Sequence, residues 1–506
     1  MSLGRTESVS LLGLAGSLVE VEVDIADGLP GFALLGLPDA ALSESRDRIR
    51  AALINSQEPW PNKKVTVSLS PAWLPKSGSG FDLSIALAML IAQGTLPQVP
   101  FLQTTILGEL ALDGKIRAVR GVLPSLIAAY KAGTRRAIVP TANRAEAQLM
   151  STMEILTFAT IHEVLSWART GVAPQLQELE LEATDTDSSL DFSDVAGQRR
   201  AREAAEIAAS GGHHLLLIGP PGAGKTMIAS RIPTILPELD LEQALEVTAV
   251  HSISGGLGDR SPMSRLAPII SPHHTASRVA IVGGGSHIIK PGACSLAHHG
   301  VLFIDEAPEC AIGVLDSLRQ PLESGTITIT RSVGNITFPA HFLLVLAANP
   351  CPCGKFIGRG RACTCTSLQV RRYLAKLSGP LMDRIDMRVI VEPVGRVEMA
   401  QTELGEASSV IRERVIAARH AAAKRFAQQS WKLNAQIPAR ELRNTYRPER
   451  TAMNFLHDEL DRERLTARGL HKVIRLSWTL ADLHEHMTPT LSDVQRAYAL
   501  REGSEL

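Results

Sequence analysis

The chain has no excess of charge of either sign, since 52 Lys and Arg stand against 52 Asp and Glu over 506 residues. A diffuse pull on nucleic acid is thereby excluded, and any such contact must come from local patches. Long apolar runs are missing too. The longest, Ile85 to Ala92, falls far short of the roughly 20 residues that cross a bilayer, and Met1 to Ser10 has no basic segment leading into an apolar one. Cysteine is scarce: all six lie between Cys294 and Cys365. That clustering argues against a secreted disulfide framework and for a local metal or redox feature. A soluble, cytoplasmic protein with no membrane partner is expected.

Charge is present but unevenly spread. Residues 174–191 hold Glu178, Glu180, Glu182, Asp185, Asp187 and Asp191 with no Lys or Arg, whereas residues 351–390 hold eight basic side chains against Asp383 and Asp386. The length suggests about three domains. Val19 to Ile25 alternates apolar and polar residues and predicts a half-solvated strand, as does Lys64 to Leu69; Ala40 to Ile54 predicts a helix and Phe81 to Ala92 a buried one. Residues 1–170 therefore read as a mixed α/β domain and 171–190 as an acidic linker. Residues 191–395 alternate strand and helix signals, and 396–506 read as helical.

Gly219-Pro220-Pro221-Gly222-Ala223-Gly224-Lys225-Thr226 meets the phosphate-loop pattern between the strand-like Leu215 to Ile218 and the helix-like Met227 to Ile232. The loop's backbone N–H groups can cradle phosphates, Lys225 can reach the β and γ oxygens, and the Thr226 hydroxyl is placed for Mg²⁺. A nucleoside triphosphate, ATP with Mg²⁺, is the expected ligand. Val301 to Ile304 is an apolar run ending in Asp305 and Glu306. Transfer of phosphate to water needs one carboxylate to help hold Mg²⁺ and one group to orient the water, which suits Asp305 and Glu306 respectively. The strand-like Phe342 to Ala348 ends at Asn349, whose amide could touch the γ-phosphate or the attacking water. Upstream, Asp194 to Gln198 precedes a helix and is expected to close over the adenine.

In the first 170 residues, Pro75-Lys76-Ser77-Gly78-Ser79-Gly80, Leu107 to Ile116 and Gly121 to Ala129 resemble the Lon protease domain, an S5-like α/β fold. That resemblance puts Gly80 where the nucleophilic serine belongs and Leu123 where its lysine belongs, and neither can do the chemistry. Ser79 and Lys131 are candidates for a shifted dyad, or loop and helix-surface residues. A scaffold or binding surface is expected in place of a peptidase.

The central motifs together resemble the sensor-containing ring ATPase plan, AAA+. In that plan Arg384, within Gly379 to Asp386, matches the arginine finger that a neighbouring subunit inserts, and Arg468 matches the second sensor of a helical lid; the plain alternative for each is a surface ion pair. Ser271 to Ser277, Val282 to Gly285, Ala347 to Gly354 and Trp478 to Leu483 then resemble the ComM/YifB family of magnesium-chelatase-like ATPases. This resemblance implies a homohexameric, ATP-driven ring and a DNA helicase that promotes branch migration in DNA uptake. The alternative is a chelatase-like motor that remodels a protein partner. His273 and His274 read as polar contacts near the nucleotide or a subunit interface more readily than as metal ligands.

Thr326 to Thr330 and Asn335 to Phe338 predict a hairpin. The resemblance implies that it points into the ring's pore, where Arg331 could grip a phosphate backbone; pairing with a carboxylate such as Glu323 is the alternative. Cys351-Pro352-Cys353 and Cys363-Thr364-Cys365 suit tetrahedral Zn²⁺, though four free thiols or a redox pair fit the spacing as well. Lys355, Arg359 and Arg361 lie inside that loop, so a metal there would fix a basic surface suited to single-stranded or branched DNA.

Overall fold

The computed structural model describes residues 2–76, 78–173, 190–255, 263–285, 289–331, 334–356, 362–393 and 405–503. Most of the acidic linker, together with Arg359 and Arg361, lies outside these residues.

Seven strands build the first sheet: β1 (Ser2–Leu12), β2 (Ala15–Ala26), β3 (Gly31–Leu35), β4 (Lys64–Ser70), β5 (Thr104–Ile106), β6 (Arg136–Pro140) and β7 (Glu154–Phe158). Their order is β3-β4-β2-β1-β5-β6-β7, with β1 and β2 antiparallel and β1 parallel to β5. The alternation in β2 works as read: Val19, Val21 and Val23 are fully buried between carboxylates that are not. Helix α1 (Asp82–Ala92) is apolar on every side and buried on every side. Its two polar groups have partners, Asp82 taking the Arg48 Nε–H at 2.7 Å and Ser84 meeting Thr6 Oγ1 at 2.9 Å. The helix expected over Ala40 to Ile54 is two pieces, Ala40–Ser43 and Ser45–Asn55. At Glu44 a ψ of −7° opens the turn, and the Asp47 N–H bonds back to the Glu44 carbonyl in an i+3 contact at 3.2 Å.

Helix α2 (Val122–Lys131) covers the first sheet and turns its other side toward the second unit. There α3 (Arg199–Gly211), β8 (Leu215–Ile218), α4 (Lys225–Ile235), α5 (Leu241–Ser254), β9 (Ile269–Ile270), β10 (Val301–Ile304), the hairpin β11 (Thr326–Arg331) and β12 (Gly334–Pro339), β13 (Leu343–Ala348), α6 (Ser367–Leu374) and β14 (Met387–Ile390) follow in chain order. The second sheet runs β9-β10-β13-β8-β14 and is parallel throughout. Its strands are near-continuous apolar runs because both faces are covered. Leu215 and Leu217 face one core and Leu216 the other. Helices α7 (Ser408–Arg425), α8 (Ala467–Leu483) and α9 (Leu491–Glu502) complete the first of those cores with Val415, Ile474 and Val494. Among the described residues, no helix is long and apolar enough to cross a membrane.

The two units meet where α2 packs on α5. Glu146 bridges them. Its carboxylate accepts the Leu123 N–H at 2.7 Å, at the start of α2, and the Ser252 hydroxyl from α5. Burial raises its pKa above the ordinary 4.5, against the pull of those hydrogen bonds. An acid raised in the folded state supplies stability that is present at low pH and lost as pH climbs through its shifted value. Glu146→Gln keeps the acceptor and discards the titration. It should therefore melt above wild type at about pH 8, with the gap closing toward about pH 4 in a thermal unfolding series. A pH-independent difference would refute the assignment.

Candidate functional site

Parallel strands end on the same edge of the second sheet, so the loops after β8, β10 and β13 converge there. Gly219 to Thr226 lies between β8 and α4, with Gly222 and Gly224 at φ of 78° and 90°. An added Cβ at either would meet nothing within 4 Å, so the loop's concave side is open. Lys225 is buried, and its Nζ donates to the Gly219 carbonyl at 2.6 Å, the Pro220 carbonyl at 2.9 Å and Asn349 Oδ1 at 3.1 Å. Desolvation lowers the pKa of this ammonium, with Asp305 and Glu306 opposing. A phosphate arriving there would take over these donors and oppose the same desolvation.

Thr226 Oγ1 donates to Asp305 Oδ2 at 2.7 Å, so one small cation could reach both oxygens. The Glu306 N–H donates to Asp305 Oδ1 at 2.8 Å, and Glu306 itself has φ 49°, a left-handed kink that ends the strand. Its carboxylate meets His274 Nδ1 at 3.2 Å. The rings of His274 and His273 lie 4.1 Å apart between centroids, tilted by 33°, and His273 bonds Thr275 at 2.8 Å. The histidine pair thus supplies a polar contact beside the site, and its hold on Glu306 carried no signal in the sequence. Gln198, from the segment expected over the adenine, donates to the Ala223 carbonyl of the phosphate loop at 2.9 Å. The site therefore gathers Lys225, Thr226, Asp305, Glu306 and Asn349 from three strand ends. It fits a nucleoside triphosphate with Mg²⁺.

Three family models cover the chain: magnesium chelatase, subunit ChlI, over residues 191–399; subunit ChlI of Mg-chelatase over 21–143; and magnesium chelatase, subunit ChlI C-terminal, over 405–501. The chain is 39% identical over 489 residues to competence protein ComM of Haemophilus influenzae, covering 96% of this chain and 94% of that one. It is 39% identical over 503 residues to YifB of Escherichia coli, covering 99% and 97%. This chain belongs to the ComM/YifB magnesium-chelatase-like family. A stretch of 176 residues is also 21% identical to Lon protease of Mycolicibacterium smegmatis, covering 33% of this chain and 22% of that one. Membership supports an ATPase using ATP and Mg²⁺, on an AAA+ core with a Lon-like α/β unit in front and a helical lid behind.

Two further arginines singled out in this ComM/YifB member are not at its own phosphate loop. Arg384 donates to the Pro380 carbonyl at 2.6 Å and pairs with Glu323. Arg468, largely exposed, stands 3.6 Å from Asp383. Arg384 lies just before β14, which runs parallel to β8, and so sits at the sheet edge away from the loop; Arg468, in α8, is brought beside the same turn through Asp383. Arg384 borders a cavity of about 1100 Å³ on that far edge, shared with His214, His341 and Lys472. Glu323 pairs with Arg384, and no ion pair joins it to Arg331 among the described residues. Arg331 is exposed at the hairpin tip, paired in register with Gly334, and Lys355 is exposed too.

Leu123 is fully buried and its N–H serves the Glu146 contact, while the Ser79 hydroxyl bonds Glu109 and Lys131 is exposed.

Cys351, Cys353, Cys363 and Cys365 bring four sulfurs within 4.8 Å of one another. Cys351 to Cys353 is 3.4 Å, Cys351 to Cys363 3.7 Å and Cys353 to Cys363 3.6 Å. Thiolates around a tetrahedral Zn²⁺ stand about 3.8 Å apart, whereas a disulfide needs about 2.05 Å. Backbone N–H groups of Lys355 and Thr364 hold Cys353 down to about 5, while desolvation and the neighbouring sulfurs push Cys363 and Cys365 up, so without a cation the cluster favours a single thiolate. Two other clusters of ligand-type residues read differently. His298 Nδ1 accepts the His341 N–H at 3.1 Å, which puts the ring proton on Nε2, 3.0 Å from Glu246: a completed hydrogen bond. Asp493, beside His484 and His486, is already taken up in capping α9 through Thr490.

Proposed function

We propose that this chain is an ATP-hydrolysing motor that works as a homohexamer on single-stranded or branched DNA, promoting branch migration in the cytoplasm. The division into residues 1–170, 171–190, 191–395 and 396–506 belongs to this reading. The observation that carries the ATPase is the convergence of Lys225, Thr226, Asp305, Glu306 and Asn349 at one sheet edge. With Mg²⁺ bound, the metal would neutralise charge on the transferring phosphoryl group. Thr226 and Asp305 would hold it, Lys225 would bind phosphate oxygens, and Glu306 would orient the attacking water. Asn349, already on Lys225, would report the γ-phosphate to β13.

Arg384 and Arg468, displaced from their own loop, would complete a neighbour's site, which makes a ring the natural assembly. DNA is favoured by the exposed Arg331 on the hairpin and by Lys355, with Arg359 and Arg361 close behind it in sequence, and by the likeness to a competence protein. The cysteines would hold one Zn²⁺ as a closed structural site. All three family models carry the chelatase name, so remodelling of a protein partner is the second reading.

The ATPase rate should rise when single-stranded DNA is added, and binding should be independent of sequence. Arg331→Ala should weaken binding on every sequence and make the slope of log K against log salt shallower by roughly 0.7. Neither stimulation nor binding at low salt would overturn the DNA reading in favour of a protein substrate.

A further inference from the structure

We propose that the cysteine-bound metal clamps the phosphate loop, so that zinc and nucleotide bind this chain cooperatively; the proposal rests on the zinc reading above. The four cysteines do not form a remote finger. Cys351 is fully buried and only two residues past Asn349, whose Oδ1 lies 3.1 Å from Lys225 Nζ. Gly354 turns back on the cluster, its N–H donating to the Cys351 carbonyl at 2.9 Å. It also packs against Pro221 of the phosphate loop so tightly that a Cβ on it would sit 2.5 Å from Pro221 Cδ and 2.8 Å from Cγ. At φ 72° the position suits glycine on backbone grounds too. On the far side, Cys365 leads directly into Thr366, which caps α6.

One ion held by four thiolates would therefore fix three things at once: the end of β13 with Asn349, the Pro221 side of the phosphate loop, and the start of α6. Without the ion, the turn at Cys351 to Gly354 keeps only its backbone bonds, and the support under Pro221 is free to move. A phosphate loop binds by presenting N–H groups already in position, so losing that support should weaken nucleotide binding itself. Four sulfurs leave no open coordination position, so the metal's part is to hold shape. Coupling between bound ligands is reciprocal: nucleotide should tighten zinc by the factor by which zinc tightens nucleotide.

The test uses the full chain and a fluorescent ATP analogue at saturating Mg²⁺, with metal content measured alongside. Purified protein should hold one zinc. Stripping by a zinc-selective chelator should weaken analogue binding on the order of tenfold, the usual size of such couplings, with recovery on adding Zn²⁺. Saturating nucleotide should slow zinc loss. Gly354→Ala keeps all four cysteines and guards against the chance that stripped protein unfolds: it should retain one zinc yet bind the analogue several-fold more weakly. Folded protein with no zinc and normal nucleotide binding would overturn the zinc reading and the clamp together. One zinc per chain, with nucleotide affinity unchanged both on stripping and in Gly354→Ala, would overturn the clamp alone.

Discussion

Glu306→Gln should bind ATP as tightly as wild type and turn it over on the order of 10²–10⁴ times more slowly. The carboxylate follows β10 at a left-handed kink, next to Asp305 but clear of the Thr226 contact that marks the cation position. Gln keeps the size of the side chain and a hydrogen-bonding oxygen for His274, and loses only the negative charge that orients and deprotonates water. Lys225→Ala should fail earlier, at binding, because it removes the ammonium from the floor of the loop. Equilibrium nucleotide binding and phosphate release on the same preparations separate these outcomes. Wild-type turnover by Glu306→Gln would refute the role given to Glu306.

Arg384→Ala should also bind ATP normally while losing roughly 10³-fold in turnover, for a different reason. This guanidinium is held by Glu323 on the edge of the sheet opposite its own phosphate loop, so on the ring reading proposed above its target would be a neighbour's nucleotide. A mixture of Arg384→Ala and Lys225→Ala chains should then recover part of the activity. Some interfaces in such rings pair an intact loop with an intact arginine, which neither pure preparation contains. Mixed rings confirmed by mass, with no recovery at any ratio, would show that Arg384 acts within its own chain or only through its tie to Glu323.

Local pattern was enough to pick out the residues that the structure gathers at one edge of the second sheet. Leu215 to Ile218 and Val301 to Ile304 are buried on both faces, and such strands read as short apolar runs whose ends must carry the polar groups. The hairpin was legible for a similar reason, since alternating Thr and Ile residues admit few other conformations. Long-range contacts left no such trace. His274 reaches Glu306 across the sheet edge, Glu323 meets Arg384 from 61 residues away in sequence, and Glu146 meets Ser252 from 106 away. A side chain that finishes a hydrogen bond across the fold looks, in sequence, like any solvated polar residue. The break in the helix at Glu44 was masked because Ala40 to Leu42 and Arg50 to Leu53 are mostly good helix formers, although Ser43 and Ser45, which favour caps and turns, flank it.

The turn between β1 and β2 has a mechanical consequence. Gly13, at φ 65°, lies so close to the hairpin strand β12 that a Cβ on it would stand 2.5 Å from Ile336 Cγ2 and 3.6 Å from the Phe338 ring. The Lon-like sheet therefore bears on the same hairpin that carries Arg331 at its tip. Any stroke of that hairpin driven by hydrolysis must either tow a seven-stranded body with it or shear this contact on every cycle. In the first case the front unit is ballast, adding drag to the hairpin and limiting the reach of each step. In the second it is a brake, released once per nucleotide consumed.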